Sequence, residues 1–321
     1  MFCLGEPVEL WQHFPGRPRG RRPHVVEQPP ICCTPKHPGS RLQTADPTSP
    51  RPTPGDPQRA ELQRVGAPLS VAVLALNEAS RLASCLESLR FADEVLLVDG
   101  GSQDRTVAIA EEFGCRVVVQ PWLGYSRQKQ LAVDRCRNDW VLILDADERI
   151  PPATAAAIRT LDLGTAAPAA YRLRRRNYFH GRWIRRCGWW PDRVVRLVDR
   201  RRGRFCDRQV HEQWLARGPV AELDADLEHR SFRTYADLVQ KMQLYSSLSA
   251  LEMAHQDLRV HPWSAATHGL WSFLNTYLFQ LGLLEGFDGF MIATANAGGS
   301  FLKYAKLYEL NRYGDGREGE D

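Results

Sequence analysis

The segment that decides the fold reads Trp140-Val-Leu-Ile-Leu-Asp145-Ala-Asp147-Glu148. An apolar run followed by closely spaced carboxylates is typical of a strand that is buried on both faces and ends in an acidic turn. Sheets of such strands are covered by helices, and their ligands bind beyond the carboxyl ends of the strands. The segment therefore predicts an α/β protein with a polar site at this strand end.

Three earlier segments repeat the strand pattern, and helical segments separate them. Uninterrupted apolar runs predict strands over residues 69–76, 94–98 and 116–119. Apolar residues three and four positions apart predict helices over residues 78–89, 105–113 and 125–136. Because strands and helices alternate, we expect a mostly parallel sheet with helices on both faces, followed by a helical carboxyl-terminal module.

The first 66 residues differ in composition from the rest of the chain, because they hold 13 of its 21 prolines. Such a segment cannot bury enough apolar surface to offset the entropy lost on ordering. We therefore expect a disordered Pro/Arg-rich extension over residues 1–66. An α/β domain over 67–230, a helical module over 231–312 and a disordered tail over 313–321 should follow it.

Charge and cysteine content exclude several classes of protein. The net charge is +4, and +3 of it lies in residues 1–66, so the chain is not a globally basic nucleic-acid binder. The eight cysteines form no C-x-x-C pair, which favours a reducing cytosol and no structural zinc. Residues 1–15 lack the basic and apolar regions of a secretory signal, so we expect none.

Polar residues follow the predicted strands. Asn77-Glu78 follows the first strand, Asp99 the second, Gln120-Pro121 the third, and Asp145 with Asp147 the fourth. The chain has neither a G-x-G-x-x-G motif after the first strand nor a G-x-x-x-x-G-K-[ST] motif, so it supports neither a dinucleotide oxidoreductase nor a P-loop NTPase. Carboxylates at these positions can instead hydrogen-bond a nucleotide or hold a divalent metal on its diphosphate.

The D-x-D pair alone is ambiguous. Asp145 and Asp147 could simply form an acidic turn that ends the strand. Both side chains face one cleft only if the chain turns between or soon after them, and Pro151-Pro152 predicts such a turn nearby.

Three ordered motifs make the pattern specific. Asn77-Glu78, the Asp99-Gly-Gly-Ser-Gln-Asp104 segment and Asp145-Ala-Asp147-Glu148 together resemble the family 2 glycosyltransferases of the GT-A fold. The similarity is greatest to the lipopolysaccharide-core β-glucosyltransferases, whose further motifs match residues 124–129, 188–192, 210–212 and 286–290. The resemblance covers residues 69–310 and departs from the family where Gly100 replaces a frequent second acid.

The resemblance implies roles on the donor side. Asp99 corresponds to the acid that contacts the uracil ring, Asp145 to the acid at the ribose, and Asp147 to the ligand of a Mg²⁺ or Mn²⁺ ion. Asn77 and Glu78 belong to the same donor-binding edge.

Two further residues have weaker assignments. Lys129 lies where the family often has a basic residue near the donor, and its alternative is a solvated charge on a helix. His229 lies where some related enzymes return a side chain toward the metal, and we retain it as a candidate metal ligand.

An inverting transferase needs a carboxylate that accepts the proton of the acceptor hydroxyl. Glu212, in Val210-His211-Glu212, occupies the region where the family commonly carries acids, so we predict it as the catalytic base. Asp192, in Trp190-Pro-Asp192, is the alternative base. His211 would orient Glu212, bind donor phosphate or act as a packed structural histidine.

Residues 171–208 contain 14 arginines and seven aromatic residues. This mixture suits single-stranded nucleic acid, which binds through stacking and phosphate contacts. It also suits a phosphorylated, lipid-linked saccharide at an anionic membrane. A third alternative is a solvated strand face balanced by acids elsewhere. Because the transferase motifs flank the segment, we predict an acceptor phosphate and no nucleic acid.

The carboxyl-terminal region lacks charge over residues 260–284. Its apolar residues recur at helical spacing, but Ser, Asn, Thr and Gln interrupt them, which argues against a spanning helix. We predict an interfacial amphipathic helix, joined to a second helix over residues 290–308 by a turn at residues 286–289. Packing against the catalytic domain and a dimer interface are the alternatives.

These features together predict a metal-dependent inverting glycosyltransferase. The resemblance implies transfer of a hexose, glucose from UDP-glucose, to a lipopolysaccharide-core or other lipid-linked saccharide. The enzyme would be cytoplasmic and peripheral on the inner face of the cytoplasmic membrane. The alternative is a non-catalytic membrane-docking or RNA-binding protein with a degenerate nucleotide-binding fold.

Overall fold

The structure, a computed structural model, describes residues 67–206 and 213–314. The described residues do not include the predicted extension over 1–66, the candidate base Glu212 or the neighbouring His211. Residues 315–321 of the predicted tail also lie outside them. The helices are α1 Ala79–Glu87, α2 Thr106–Glu112, α3 Tyr125–Arg135, α4 Pro152–Arg159, α5 Tyr235–His255, α6 Trp263–Leu274 and α7 Gly286–Tyr313. The strands are β1 Leu69–Ala75, β2 Glu94–Asp99, β3 Arg116–Val119, β4 Trp140–Asp145, β5 Glu148–Arg149, β6 Ala170–Phe179, β7 Arg182–Trp183, β8 Asp192–Asp199, β9 Gly203–Phe205, β10 Trp214–Ala216 and β11 Val220–Phe232.

One large sheet has the strand order β3-β2-β1-β4-β8-β6-β11-β5, with β7 paired to β6. Strands β1 to β4 run parallel to one another, and β6 runs parallel to β11. Strand β8 is antiparallel to both β4 and β6, and β5 is antiparallel to β11. Strands β9 and β10 form a separate pair. The predicted α/β class with a mostly parallel sheet and carboxyl-terminal helices is confirmed.

Helices cover both faces of the parallel half of the sheet. On one face Val71 and Val73 pack with Leu82 of α1, and on the other face Leu74 packs with Val133 of α3. All seven residues of β1 are buried. This explains why the strand reads as an uninterrupted apolar run, since each fully buried Val or Leu contributes about 1.5–3 kcal/mol relative to an exposed one.

The strand register brings the acidic strand ends together. Ala75 at the end of β1 is the partner of Asp99 on β2, and Leu74 is the partner of Asp145 on β4. Carboxyl ends of parallel strands meet at one edge, so the polar residues that follow β1, β2 and β4 share this edge of the sheet.

The D-x-D turn forms directly after β4. Ala146 and Asp147 form the turn, and the amide of Ala146 donates to the carbonyl of Leu74. Strand β5 then returns alongside β11, where His229 is the partner of Glu148. The turn predicted from the two prolines instead starts helix α4, where Pro152 is the first residue because the first helical amide needs no acceptor.

Helix α7 packs against both α5 and α6. A capping box starts α5, in which Thr234 and Asp237 each accept from the other's backbone amide. After α6 the chain continues as a π-helical turn over Asn275–Phe279 and a 3-10 turn over Gly282–Glu285. Within the described residues every helix is too short or too polar to cross a lipid bilayer.

The turn predicted over residues 286–289 is wrong, because these residues form the first turn of α7. The chain reverses earlier, over residues 275–285. Gly289 is needed for close packing: a Cβ there would lie 1.9 Å from the carbonyl oxygen of Gly282. The glycine therefore marks a close backbone approach, which a local pattern cannot distinguish from a turn.

Candidate active site

Asp99 stabilises the loop after β2 by hydrogen bonds. Its Oδ2 accepts from the amides of Gly101 (2.9 Å) and Ser102 (2.8 Å), and its Oδ1 accepts from the Ser102 hydroxyl. The Asn77 side chain holds the same loop by accepting from the amide of Gln103. Each carboxylate oxygen has two lone pairs, so a buried Asp99 can still accept from a nucleotide base.

Asp145 lies in a network of buried charges. The Lys129 ammonium lies 3.7 Å from its Oδ1, and the Arg196 guanidinium lies 3.1 Å from its Oδ2. Arg196 also donates to Glu148, whose other oxygen accepts from the Asp145 amide. Burial opposes ionisation of Asp145, but the charges of Lys129 and Arg196 hold its pKa well below the usual range.

Lys129 is 2% exposed. The alternative interpretation of Lys129 as a solvated helix charge is therefore wrong. Helix α3 packs on the sheet through this face, and the ammonium reaches the end of β4.

Asp147 and His229 face each other on the other side of the D-x-D turn. His229 Nε2 lies 3.5 Å from Asp147 Oδ2, and His229 Nδ1 lies 2.6 Å from Asn177 Oδ1. Since an amide oxygen only accepts, Nδ1 carries the proton and Nε2 presents its lone pair to Asp147. Asn177 and His229 meet because they are register partners on β6 and β11.

The pKa values of this pair suit a metal site. Burial lowers the pKa of His229 and keeps the imidazole neutral. Burial opposes ionisation of Asp147, but His229 and then Lys241 lower its pKa below the usual range. A neutral imidazole and an ionised carboxylate are the forms that bind a divalent cation.

Three buried atoms of the Asp147–His229 pair also suit a metal site. Both carboxylate oxygens of Asp147 and Nε2 of His229 are buried without a hydrogen-bond partner among the described residues. In the same part of the chain no group of three or more His, Cys, Asp or Glu residues forms a complete metal shell. Two protein ligands fit an ion that takes its remaining ligands from a diphosphate and water.

Glu78 lies beside this pair and is buried. Desolvation raises its pKa to about 7, although Arg81 acts in the opposite direction. Arg81 lies 3.6 Å from both the Glu78 and the Asp147 carboxylates. Glu78 therefore gains or loses a proton near neutral pH at the edge of the proposed metal site.

Asp192, the alternative base, is linked to the Asp147–His229 pair. Its Oδ2 accepts from Arg175 Nε (2.8 Å) and from Asn177 Nδ2 (3.1 Å). Asn177 thus connects Asp192 with His229 through the two ends of one amide. Both contacts use the same oxygen of Asp192, and the residue lines a cavity on this side of the sheet.

Comparisons with known proteins identify the family. A family model described as "Glycosyl transferase family 2" matches residues 70–202. The chain is 30% identical over 255 residues to the protein named "Uncharacterized glycosyltransferase RT0209" of Rickettsia typhi, covering 76% of this chain and 87% of that relative. The chain belongs to glycosyltransferase family 2. The predicted family and enzyme class are thereby confirmed.

A second relative is named for its pathway. The glycosyltransferase is 31% identical over 255 residues to "Lipopolysaccharide core biosynthesis glycosyltransferase LpsC" of Rhizobium meliloti, covering 75% of this chain and 92% of that relative. A structural match is glucosyl-3-phosphoglycerate synthase of Mycobacterium tuberculosis with Mn²⁺, UDP and glucosyl-3-phosphoglycerate, at 17% identity. It covers 60% of this chain and 81% of that one with a TM-score of 0.38, too low to carry an argument about the site.

The arginine-rich segment of this glycosyltransferase is largely balanced by acids. Arg174 and Arg176 pair with Asp226, and Arg182 pairs with Glu285 and Asp288. Further pairs join Arg172 to Glu222, Arg175 to Asp192, Arg196 to Asp145, and Arg201 to Asp139. These contacts favour the alternative of a strand face balanced by acids over a dedicated phosphate site.

Sequence reasoning missed three residues of the site. Asn177 and Arg196 lie inside the arginine-rich segment and carry no local motif. Lys241 interrupts the apolar face of α5 between Leu238 and Met242. This position was a signal in the sequence, because lysine is rarely buried unless its charge is paired.

Proposed function

We propose that this glycosyltransferase moves a hexose, glucose from UDP-glucose, with inversion onto a lipopolysaccharide-core or other lipid-linked saccharide. The transfer depends on Mg²⁺ or Mn²⁺. The observation that carries the metal dependence is the buried Asp147–His229 pair, whose facing atoms lack hydrogen-bond partners among the described residues. The name of the Rhizobium meliloti relative supports the acceptor class.

The donor binds at the edge of the sheet where β1, β2 and β4 end. Asp99 accepts from the uracil ring and Asp145 from the ribose, while Lys129 and Arg196 keep Asp145 ionised. Asp147 and His229 would hold the metal ion, whose charge would offset the negative charge of the diphosphate leaving group. Asn177 accepts a hydrogen bond from His229 Nδ1, so Nε2 keeps the lone pair with which it would bind that ion.

The acceptor side supplies the base. As the acceptor oxygen forms its bond to the anomeric carbon, its proton passes to a carboxylate and the bond to the diphosphate breaks with inversion. The candidates are Glu212 and Asp192. Asp192 has the support of its place in the cavity wall beside Asn177.

Paired variants separate the two bases. Loss of the base should lower the transfer rate about 10²–10⁴-fold with little change in donor affinity. We therefore expect this pattern from Glu212→Gln or from Asp192→Asn, but not from both. A near-parent rate for Glu212→Gln beside an inactive Asp192→Asn assigns the role to Asp192, and the reverse assigns it to Glu212.

Donor identity is tested by thermal shift with a panel of nucleotide-sugars and Mn²⁺. A donor that binds the folded state raises the melting temperature by mass action, so UDP-glucose should give the largest shift and should be hydrolysed slowly. A larger shift with another nucleotide-sugar would identify that nucleotide-sugar as the donor instead of UDP-glucose. An absence of shift and hydrolysis with every nucleotide-sugar would contradict the proposed function.

A peripheral membrane position is supported by the surface around the turn between α6 and α7. Phe279 is 68% exposed, and Trp271, Leu284 and Phe287 are also exposed. Exposed aromatic and aliphatic side chains of this kind bind at the headgroup level of a bilayer. We propose that this surface attaches the enzyme to the inner face of the cytoplasmic membrane.

Co-sedimentation with anionic phospholipid vesicles tests the attachment. The double variant Trp271→Ser and Phe279→Ser should release the protein, and high salt should weaken binding only in part because apolar contacts remain. The matched control is Phe113→Ser, which removes an exposed aromatic residue at the end of α2. If the full-length protein does not bind vesicles and sediments as a dimer, this surface is instead the interface with a second copy of the chain.

A further inference from the structure

A cavity of about 590 Å³ lies between the sheet and the carboxyl-terminal helices. Asp192 and His229 line it on the sheet side, and Ser249, Asn296 and Ser300 line it on the helical side. Its size is in the range of small-molecule sites, and hydroxyl and amide side chains can bind the hydroxyls of a saccharide.

The cavity wall contains a buried cation. Lys241, in the second turn of α5, is 8% exposed and lines the cavity. Its ammonium lies 4.5 Å from the centre of the Phe232 ring, and it has no hydrogen-bond partner among the described residues. A buried ammonium is costly unless a negative group compensates it.

The nearby acids do not provide that group. Asp192 is the one acid among the described residues that line the cavity, and Arg175 already pairs with it. Lys241 lowers the pKa of Asp147 and of Glu78, but it forms no ion pair with either carboxylate. The compensating anion is therefore expected from a ligand.

The position of the cavity favours the acceptor, rather than the donor, as its ligand. The donor-side residues Asp99, Asp145 and Lys129 do not line the cavity, and the proposed metal site contributes only His229. A ligand in the cavity would thus reach His229 without contacting these donor-side residues. Lys303 of α7 adds a second positive charge to the wall.

We propose that the cavity is the acceptor site and that Lys241 binds an anionic group of the acceptor saccharide, a phosphate or a carboxylate. The inference rests on the proposed function and specifies its acceptor as an acidic sugar. It moves the anion site from the arginine-rich segment, where acids already pair with most guanidinium groups, to a buried lysine that has no hydrogen-bond partner among the described residues.

Calorimetric titration of the full-length protein with inorganic phosphate and with glucuronate, at constant ionic strength, tests the site without catalysis. Lys241→Met keeps the length of the side chain and removes its charge, so it should weaken binding of the preferred anion about 10- to 100-fold. Lys241→Arg should retain most of the affinity. If Lys241→Met does not fold, Lys241→Gln provides the same loss of charge with a polar end.

Lys306→Met is the matched control. Lys306 joins α7 to α5 by donating to Ser246, Ser247 and the Gln243 carbonyl, so its ammonium is already satisfied. This variant should bind both anions as the parent does. The anion with the higher affinity in the parent identifies the acceptor group as phosphate or carboxylate.

Three outcomes overturn the inference. The first is equal anion affinity in Lys241→Met and the parent, and the second is an absence of binding by the parent. The third is a loss of affinity for UDP with Mn²⁺ in Lys241→Met, which would make Lys241 a donor-diphosphate ligand. Anion binding that depends on Lys241 in a protein that hydrolyses no nucleotide-sugar would contradict the proposed function and leave the anion site in place.

Discussion

Asp145 and Asp147 lie two residues apart, yet their surroundings differ. Lys129 and Arg196 compensate Asp145, so its charge is neutralised within the protein. Asp147 faces a neutral imidazole and lies 3.6 Å from the Arg81 guanidinium, and both its oxygens lack a hydrogen-bond partner among the described residues. The difference teaches that the first carboxylate is prepared for a neutral ligand such as a ribose, and the second for a cation.

The largest expected effect separates these two carboxylates. Asp147→Asn should abolish metal-dependent turnover and Mn²⁺ binding, because it removes the only charged ligand of the proposed pair. Asp145→Asn is the matched variant and should keep most of the Mn²⁺ affinity. Electron paramagnetic resonance of Mn²⁺ measures the metal affinity of each variant, and transfer rates are measured in parallel. Near-normal activity of Asp147→Asn at saturating Mn²⁺, or equal loss in both variants, would remove the distinction.

A second comparison concerns the stability of the two buried cations. Arg196→Met should lower the free energy of unfolding by about 3–5 kcal/mol, because Asp145 and Glu148 would lose a buried partner. Lys241→Met should change it little or raise it, since it removes a buried charge that has no hydrogen-bond partner in the described part of the chain. Urea denaturation measures both values. Equal losses would show that Lys241 is compensated within the folded protein.

The orientation of His229 gives a smaller effect. Asn177→Ala removes the acceptor that fixes the imidazole tautomer, and we expect Mn²⁺ affinity to fall about 10- to 100-fold. Unchanged Mn²⁺ affinity in Asn177→Ala would show that neighbouring packing alone holds the ring.

The smallest expected effect is a pH dependence from Glu78. Its pKa rises from 4.5 unfolded to about 7 folded, so the native state binds the proton more tightly. The stability that Glu78 contributes is then present below about pH 4.5 and lost as the pH rises through 7. Glu78→Gln should therefore gain melting temperature relative to the parent between pH 5 and pH 8, by about 5–10 °C.

Thermal unfolding at both pH values checks this expectation. Glu87→Gln is the control, because Glu87 lies exposed on the same helix. A difference between parent and Glu78→Gln that stays constant with pH would mean that Glu78 titrates normally in the folded protein.

Sequence by itself determined the architecture and one edge of the site. Buried strands and helices have short periodicities, so a window of a few residues in β1 or β4 predicts the element. The acids after β2 and β4 could be located because parallel strands end at a common edge. The family could be assigned because its motifs are contiguous in the chain.

Only the tertiary structure decided which charges are compensated. Asn177 and His229 are 52 residues apart and meet through the register of β6 and β11. Arg176 finds its acid on β11 and Arg182 at the start of α7, whereas Lys241 is buried without a hydrogen-bond partner among the described residues. A sequence lists the charges but not their neighbours. The electrostatic energy of a buried group depends on those neighbours, and long-range packing brings them together.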